Sequence, residues 1–108
     1  MNQVNDCDEL DCVLKKSGRK LVVVALSSKR CGYCKLTTPY LESLIQHMPD
    51  VVFIKADVSE SQELLEKFKC TGLPAFHFFH NNNRVYFFQG ANTEFLGKKI
   101  QELRRLCN

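Results

Sequence analysis

The sequence predicts an α/β domain in which a central mixed β-sheet is flanked by helices on both faces. Three observations lead there. Apolar runs of strand length alternate with segments of helical period. One of those runs, residues 20–26, contains Leu-Val-Val-Val-Ala-Leu without a polar break, the pattern of a strand buried on both faces. Late in the chain, two aromatic-rich strands follow one another across a short polar turn.

Gln3 and Val4 form a weak first strand. A helix is expected over 6–17, with Asp6 as its cap, Glu9 at the capping-box position and Gly18 as its stop. It places Cys7, Leu10 and Leu14 on one face and turns Cys12 away. After the strand at 20–26, helical period runs over 31–48, with Leu36, Tyr40, Leu41, Leu44, Ile45 and Met48 as the apolar stripe. Pro39 lies inside that stripe and should kink the helix, and Pro49 ends it. Residues 51–56 read as a second buried strand. Residues 59–69 read as a third helix, with Leu64, Leu65 and Phe68 facing inward. Strands at 75–79 and 84–89 meet across Asn81-Asn82-Asn83, a hairpin turn. Strand alternation sends Phe76, Phe78, Phe79, Tyr86, Phe87 and Phe88 to both faces of the sheet as core. A helix at 93–107 closes the chain, with Leu96, Ile100, Leu103 and Cys107 on one face.

The chain of 108 residues has the length of one domain, 1–108. Its net charge of +3 is too small to suggest a charged tail or a nucleic-acid surface. There is no apolar run of the ~18 residues a membrane span needs. The start, Met1-Asn2-Gln3-Val4, has neither the basic region nor the apolar stretch of a secretory leader, so a cytoplasmic protein is expected.

The six cysteines are Cys7, Cys12, Cys31, Cys34, Cys70 and Cys107. In a reducing compartment, a close pair is more often catalytic or metal-binding than structural. Cys31-Gly32-Tyr33-Cys34 follows a buried strand and opens a helix. Unpaired N–H groups at a helix start carry partial positive charge and favour a thiolate. Arg30 and Lys35 add charge on either side. Cys31 is therefore expected to ionise more readily than a free thiol, whose pKa is ~8.5. Two intervening residues put the second sulfur one turn away, where a disulfide can close. Cys31 at the tip would attack and Cys34 would resolve the mixed disulfide. Half of a zinc site is the competing reading, but it lacks partners. His77 and His80 point to opposite faces of one strand. Cys7 and Cys12 diverge by about 140° around their helix.

With those residues in view, the sequence resembles the thioredoxin family over essentially its whole length, the animal cytosolic type in particular. The likeness is carried by Lys20-Leu21-Val22-Val23-Val24, Cys31-Gly32-Tyr33-Cys34-Lys35, Pro39, Asp57, Gly72-Leu73-Pro74, Phe76-His77-Phe78-Phe79 and Gly90-Ala91-Asn92. It implies a thioredoxin fold and a thiol–disulfide oxidoreductase acting on protein disulfides. It also implies that Pro74 is a cis-proline beside the active disulfide. Leu73 would then pair its backbone with an extended substrate segment. Gly72, Gly90 and Ala91 match a flat docking floor beside Arg30, Gly32 and Tyr33. The implied electron donor is an NADPH-dependent thioredoxin reductase, or glutathione. A monomer is expected, with no bound cofactor, metal or nucleic acid.

Three positions depart from the family pattern. Tyr33 stands where proline is usual and brings an extra N–H near the Cys31 sulfur, which favours the reduced pair and makes the disulfide a stronger oxidant. Arg30 replaces a tryptophan, exchanging a flat apolar contact for a cation suited to acidic partners. Ala25 replaces a buried acid that helps to move the resolving proton, so resolution should slow. Asp57 cannot be brought near Cys34 by sequence reasoning alone. Ala25 and Arg30 favour a competing reading as a binding module, and Tyr33 favours a glutathione-dependent enzyme of glutaredoxin type. Among the remaining cysteines, Cys7 and Cys107 are expected to act as small core residues and Cys12 to be exposed. Cys70 falls near the substrate groove and is expected to be buried.

Overall fold

The computed structural model describes residues 1–59 and 61–107. Its elements run β1 (Asn2–Val4), α1 (Cys7–Lys16), β2 (Leu21–Ser27), α2 (Gly32–His47), β3 (Val51–Asp57), α3 (Gln62–Lys67), β4 (Ala75–His80), β5 (Asn83–Gln89) and α4 (Thr93–Leu106). The sheet order is β1-β3-β2-β4-β5. β1, β3 and β2 are parallel; β4 pairs antiparallel with β2, and β5 antiparallel with β4. The expected mixed sheet, with helices on both faces, is the architecture found.

The unbroken apolar run becomes β2, buried at every position and paired on both sides. Alternation divides its side chains between two cores. Val22, Val24 and Leu26 join Leu10 and Leu14 of α1 and Leu64 of α3. Leu21, Val23 and Ala25 join Leu41 of α2 and Leu96 and Ile100 of α4. The same alternation sends Phe53 of β3 to the α2–α4 layer and Ile54 to the other. In that layer α4 lies close to α2: a Cβ on Gly97 would run into the Tyr40 hydroxyl. Arg104 Nε donates to Asp50 Oδ2 at 2.6 Å and ties the last turn of α4 to the entry of β3.

Local capping follows the sequence closely. Asp6 accepts from the Glu9 N–H at 2.8 Å, and Gly18 takes φ +60° just after α1. Asn81 and Asn82 have φ of 53° and 66°, the left-handed pair that a two-residue hairpin turn requires.

Three expectations are corrected. Leu36 does not belong to the apolar stripe of α2; it is 67% exposed, because Cys34, Thr37 and Leu41 set the buried face of the first turns. The third helix begins at Gln62 rather than Ser59, with Ser61 capping it through the Leu64 N–H. Ser59 is drawn instead into hydrogen bonds with Asp57 and Lys29, and Glu60 lies outside the described residues. Phe87 is 48% exposed rather than core. It sits on edge strand β5, where its ring stacks on His77 and has the Arg84 guanidinium 5.0 Å from its centroid, with no helix covering it among the described residues. α2 continues across Pro39, whose side chain faces solvent.

Candidate active site

β2 delivers the chain to a tight connection before α2. There the Cys31 N–H donates to the Ser28 carbonyl at 3.1 Å and the Arg30 N–H to Ser28 Oγ at 3.2 Å. The Lys29 N–H donates to Ser59 Oγ at 2.9 Å, pinning this turn to the loop after β3. Cys31 is the N-cap of α2, and its Sγ accepts from the Cys34 N–H at 3.1 Å. The cap therefore directs a free N–H of the first helical turn at the sulfur, the arrangement that favours a thiolate.

Cys31 and Cys34 form a disulfide with a Cα–Cα separation of 5.3 Å, inside the usual range for such a bridge. The two sulfurs are unequally placed. Cys31 is half-buried and borders a groove of about 550 Å³. Cys34 is 4% exposed, and its carbonyl accepts from the hydroxyls of Thr37 and Thr38, both at 3.0 Å.

The groove brings together Arg30, Cys31, Gly32, Tyr33, Gly72 and Leu73. The Leu73–Pro74 bond is cis, as the resemblance implies. Pro74 is buried next to Leu73, and its carbonyl accepts from the Gly90 N–H at 2.9 Å; neither Pro74 nor Gly90 lines the groove itself. Gly90 has φ +120°, a conformation suited to glycine. Ala91 is half-buried and follows Gly90 without lining the groove. Gln89 Nε2 donates to Thr71 Oγ1 at 2.9 Å and holds the segment before the cis bond against β5.

One feature at the rim was not drawn from the sequence, and one expectation there changes in detail. Leu36 stands one turn beyond Tyr33 on α2, and both are 67% exposed, so an apolar pair flanks the redox turn. Cys70 is half-buried and borders the groove itself, with its Sγ 3.5 Å from the Gly72 carbonyl. The sequence placed it near the groove; the structure leaves it half-buried rather than buried. Cys12 is exposed. Cys7 and Cys107 are half-buried, and each packs against one of the two cores. Burial, with the Glu63 carboxylate alongside, pushes the Cys7 thiol up to about 11, which makes it an inert thiol.

The Thioredoxin family model matches residues 3–102. The chain belongs to the thioredoxin family. A thioredoxin of Ophiophagus hannah is 38% identical over 99 residues, covering 92% of this chain and 94% of that one. The solved structure of Fasciola hepatica thioredoxin superposes with a TM-score of 0.91 at 29% identity, covering 94% of this chain and 98% of that one. A further thioredoxin-fold structure, at 27% identity and a TM-score of 0.89, is that of a ferredoxin:thioredoxin reductase and thioredoxin f2 complex; 95% of this chain and 94% of that one are covered. With its disulfide at the start of α2, this thioredoxin-family chain is a thiol–disulfide oxidoreductase. Among the described residues, no helix is long and apolar enough to cross a membrane.

Proposed function

We propose that Cys31 is the attacking nucleophile and Cys34 the resolving thiol in the reduction of protein disulfides. The observation that carries this is the asymmetry of the pair: the N-cap sulfur borders the groove, while its partner is almost wholly buried. The Cys31 thiolate attacks one sulfur of the substrate disulfide. A Cys31–substrate disulfide forms and the first substrate thiolate leaves. The Cys34 thiolate then attacks the Cys31 sulfur, the mixed disulfide breaks, and the second substrate thiolate leaves. Two electrons pass to the substrate, and the Cys31–Cys34 disulfide of this structure is the product.

In the same proposal the groove holds an extended substrate segment. Leu73 offers its backbone. Gly72, Gly32 and Gly90 allow close approach, with Ala91 beside them and Pro74 fixing the floor. Tyr33 and Arg30 meet the side chains that flank the substrate disulfide, and Arg30 favours acidic ones. The chain acts as one domain, 1–108, and as a monomer in the cytoplasm. An NADPH-dependent thioredoxin reductase, or glutathione, returns electrons to the pair. The complex of a fold relative with a ferredoxin:thioredoxin reductase supports a reductase as donor, whatever its own electron source.

Tyr33 at the proline position makes this pair more oxidising than is usual. Equilibration with glutathione is expected to give a reduction potential above ~−270 mV, the value of a typical thioredoxin. Tyr33→Pro is expected to move it back down. A wild-type value at or below the typical one overturns the oxidising character and leaves the activity itself intact. Turnover of insulin disulfides with a reductase and NADPH tests the activity.

A further inference from the structure

Resolution needs Cys34 as a thiolate, yet Cys34 is 4% exposed and burial disfavours a charged sulfur. Its proton must leave through the protein. Ala25, in the core layer beside α2, has no group to take it.

Behind the start of α2 lies a cavity of about 110 Å³ lined by Cys34, Thr38, Lys55 and Asp57. At ~30 Å³ of liquid volume each, a few waters fit there. Strand alternation explains who lines it. Phe53, Lys55 and Asp57 share the face of β3 that packs toward α2, and the β2–β3 register sets Asp57 opposite Ser27. Asp57 also lines a second cavity, of about 400 Å³, whose other lining residues, Gln3, Asn5 and Lys29, are exposed. One carboxylate thus borders both the space that reaches the buried sulfur and the space that opens to solvent.

The carboxylate is also held in its charged form. Partial burial works to raise its pKa. Hydrogen bonding from Ser59, whose N–H donates to Oδ1 at 2.9 Å, and the charges of Lys29 and Lys55 outweigh that and keep it below the ordinary carboxylate value. The other charged group facing the inner cavity is Lys35, on α2. These lysines favour a thiolate in that space, and among the described residues that line it Asp57 is the one carboxylate.

We propose that Asp57 is the proton-relay residue of the resolving step. Through water in the inner cavity its carboxylate accepts the Cys34 proton and hands it to the outer cavity and bulk solvent. The Cys34 electron pair then forms the bond to the Cys31 sulfur. The Cys31–substrate bond breaks, and the departing substrate thiolate takes a proton from solvent. The proposal rests on the roles given above to Cys31 and Cys34.

The test uses the full reduced chain with the four other thiols replaced (Cys7→Ala, Cys12→Ser, Cys70→Ser and Cys107→Ala) and one equivalent of 5,5′-dithiobis(2-nitrobenzoate), which releases one thionitrobenzoate on attack by Cys31 and a second on resolution. Asp57→Asn keeps an oxygen acceptor for the Ser59 N–H but removes the carboxylate. Its second phase is expected to slow ~100-fold at pH 7, the low end of general-base effects. That deficit should close as rising pH lets hydroxide ionise Cys34 directly. Asp57→Glu should retain the fast second phase. A D57N second phase at the wild-type rate, a slowing equal at every pH, or a D57E as slow as D57N overturns the proposal. Cys34→Ser tests the underlying reading separately: it should release one equivalent only, and release of two would overturn the roles of the pair rather than the relay.

Discussion

Cys31 and Cys34 are separated by two residues, but the spaces they face are built differently. The groove before Cys31 is wide and lined by glycines, Leu65, Leu73 and Tyr33, with Arg30 as the one charged side chain among its described residues. The cavity behind Cys34 is a fifth of that volume and is lined by Lys29, Lys35, Lys55 and Asp57 together with hydroxyl side chains. The first surface suits a peptide, whose backbone needs room and whose side chains need apolar contact. The second suits a proton, which needs charge and water. One helix start serves both because its cap residue points outward, while the residue one turn later points into the fold.

The largest expected effects break the two sides apart. Cys31→Ser removes the nucleophile, and insulin-disulfide turnover with a reductase and NADPH should fall below ~0.1% of wild type. Cys34→Ser leaves the groove side intact. Turnover should drop ~100-fold or more, and the Cys31–substrate adduct should persist in mass spectra taken without reductant. If both variants gave the same adduct-free product, the division of labour between the sulfurs would be wrong.

A buried histidine sharpens the contrast by marking a pH dependence that does not belong to the pair. His77 is 2% exposed, its ring 4.5 Å from Phe68 and stacked 5.3 Å from Phe87. Burial, and then the Arg84 charge, lower its pKa from 6.5 to about 4. The unfolded chain therefore binds an extra proton between pH 6.5 and about 4, so stability is full above that window and is lost as pH falls through it. Urea unfolding at pH 7.5 and pH 5 should differ by about 2 kcal/mol from this group, and His77→Leu should flatten the difference. The smallest effect tests the rim of the groove. Leu36→Ser, at a 67% exposed site, should change stability by no more than ~0.5 kcal/mol. A rise in KM for a peptide disulfide, with kcat held, would extend the groove side to Leu36.

Reading Leu36 as core shows where sequence patterns run short. The helical period over 31–48 was right, but a stripe of similar apolar spacing could be drawn through Leu36 or through Cys34 and Thr37. Packing on β2 and β3 chose the second. Phe87 failed for a related reason: alternation gives a face, yet only the positions of the helices decide whether that face is covered at an edge strand. The segment over 59–69 lost its first turn because Ser59 makes hydrogen bonds across to the β2–α2 turn, a competitor that no local propensity reports.

The sequence by itself determined the nature and order of the helices and strands, the cap that puts Cys31 at the mouth of α2, and the left-handed Asn pair of the hairpin. All of these depend on residues a few positions apart, where period and capping chemistry act. Only the tertiary structure decided that Asp57 shares a cavity with Cys34. Strand register and loop packing join residues distant along the chain, and those contacts are fixed by how whole elements bury their apolar faces, not by any local pattern.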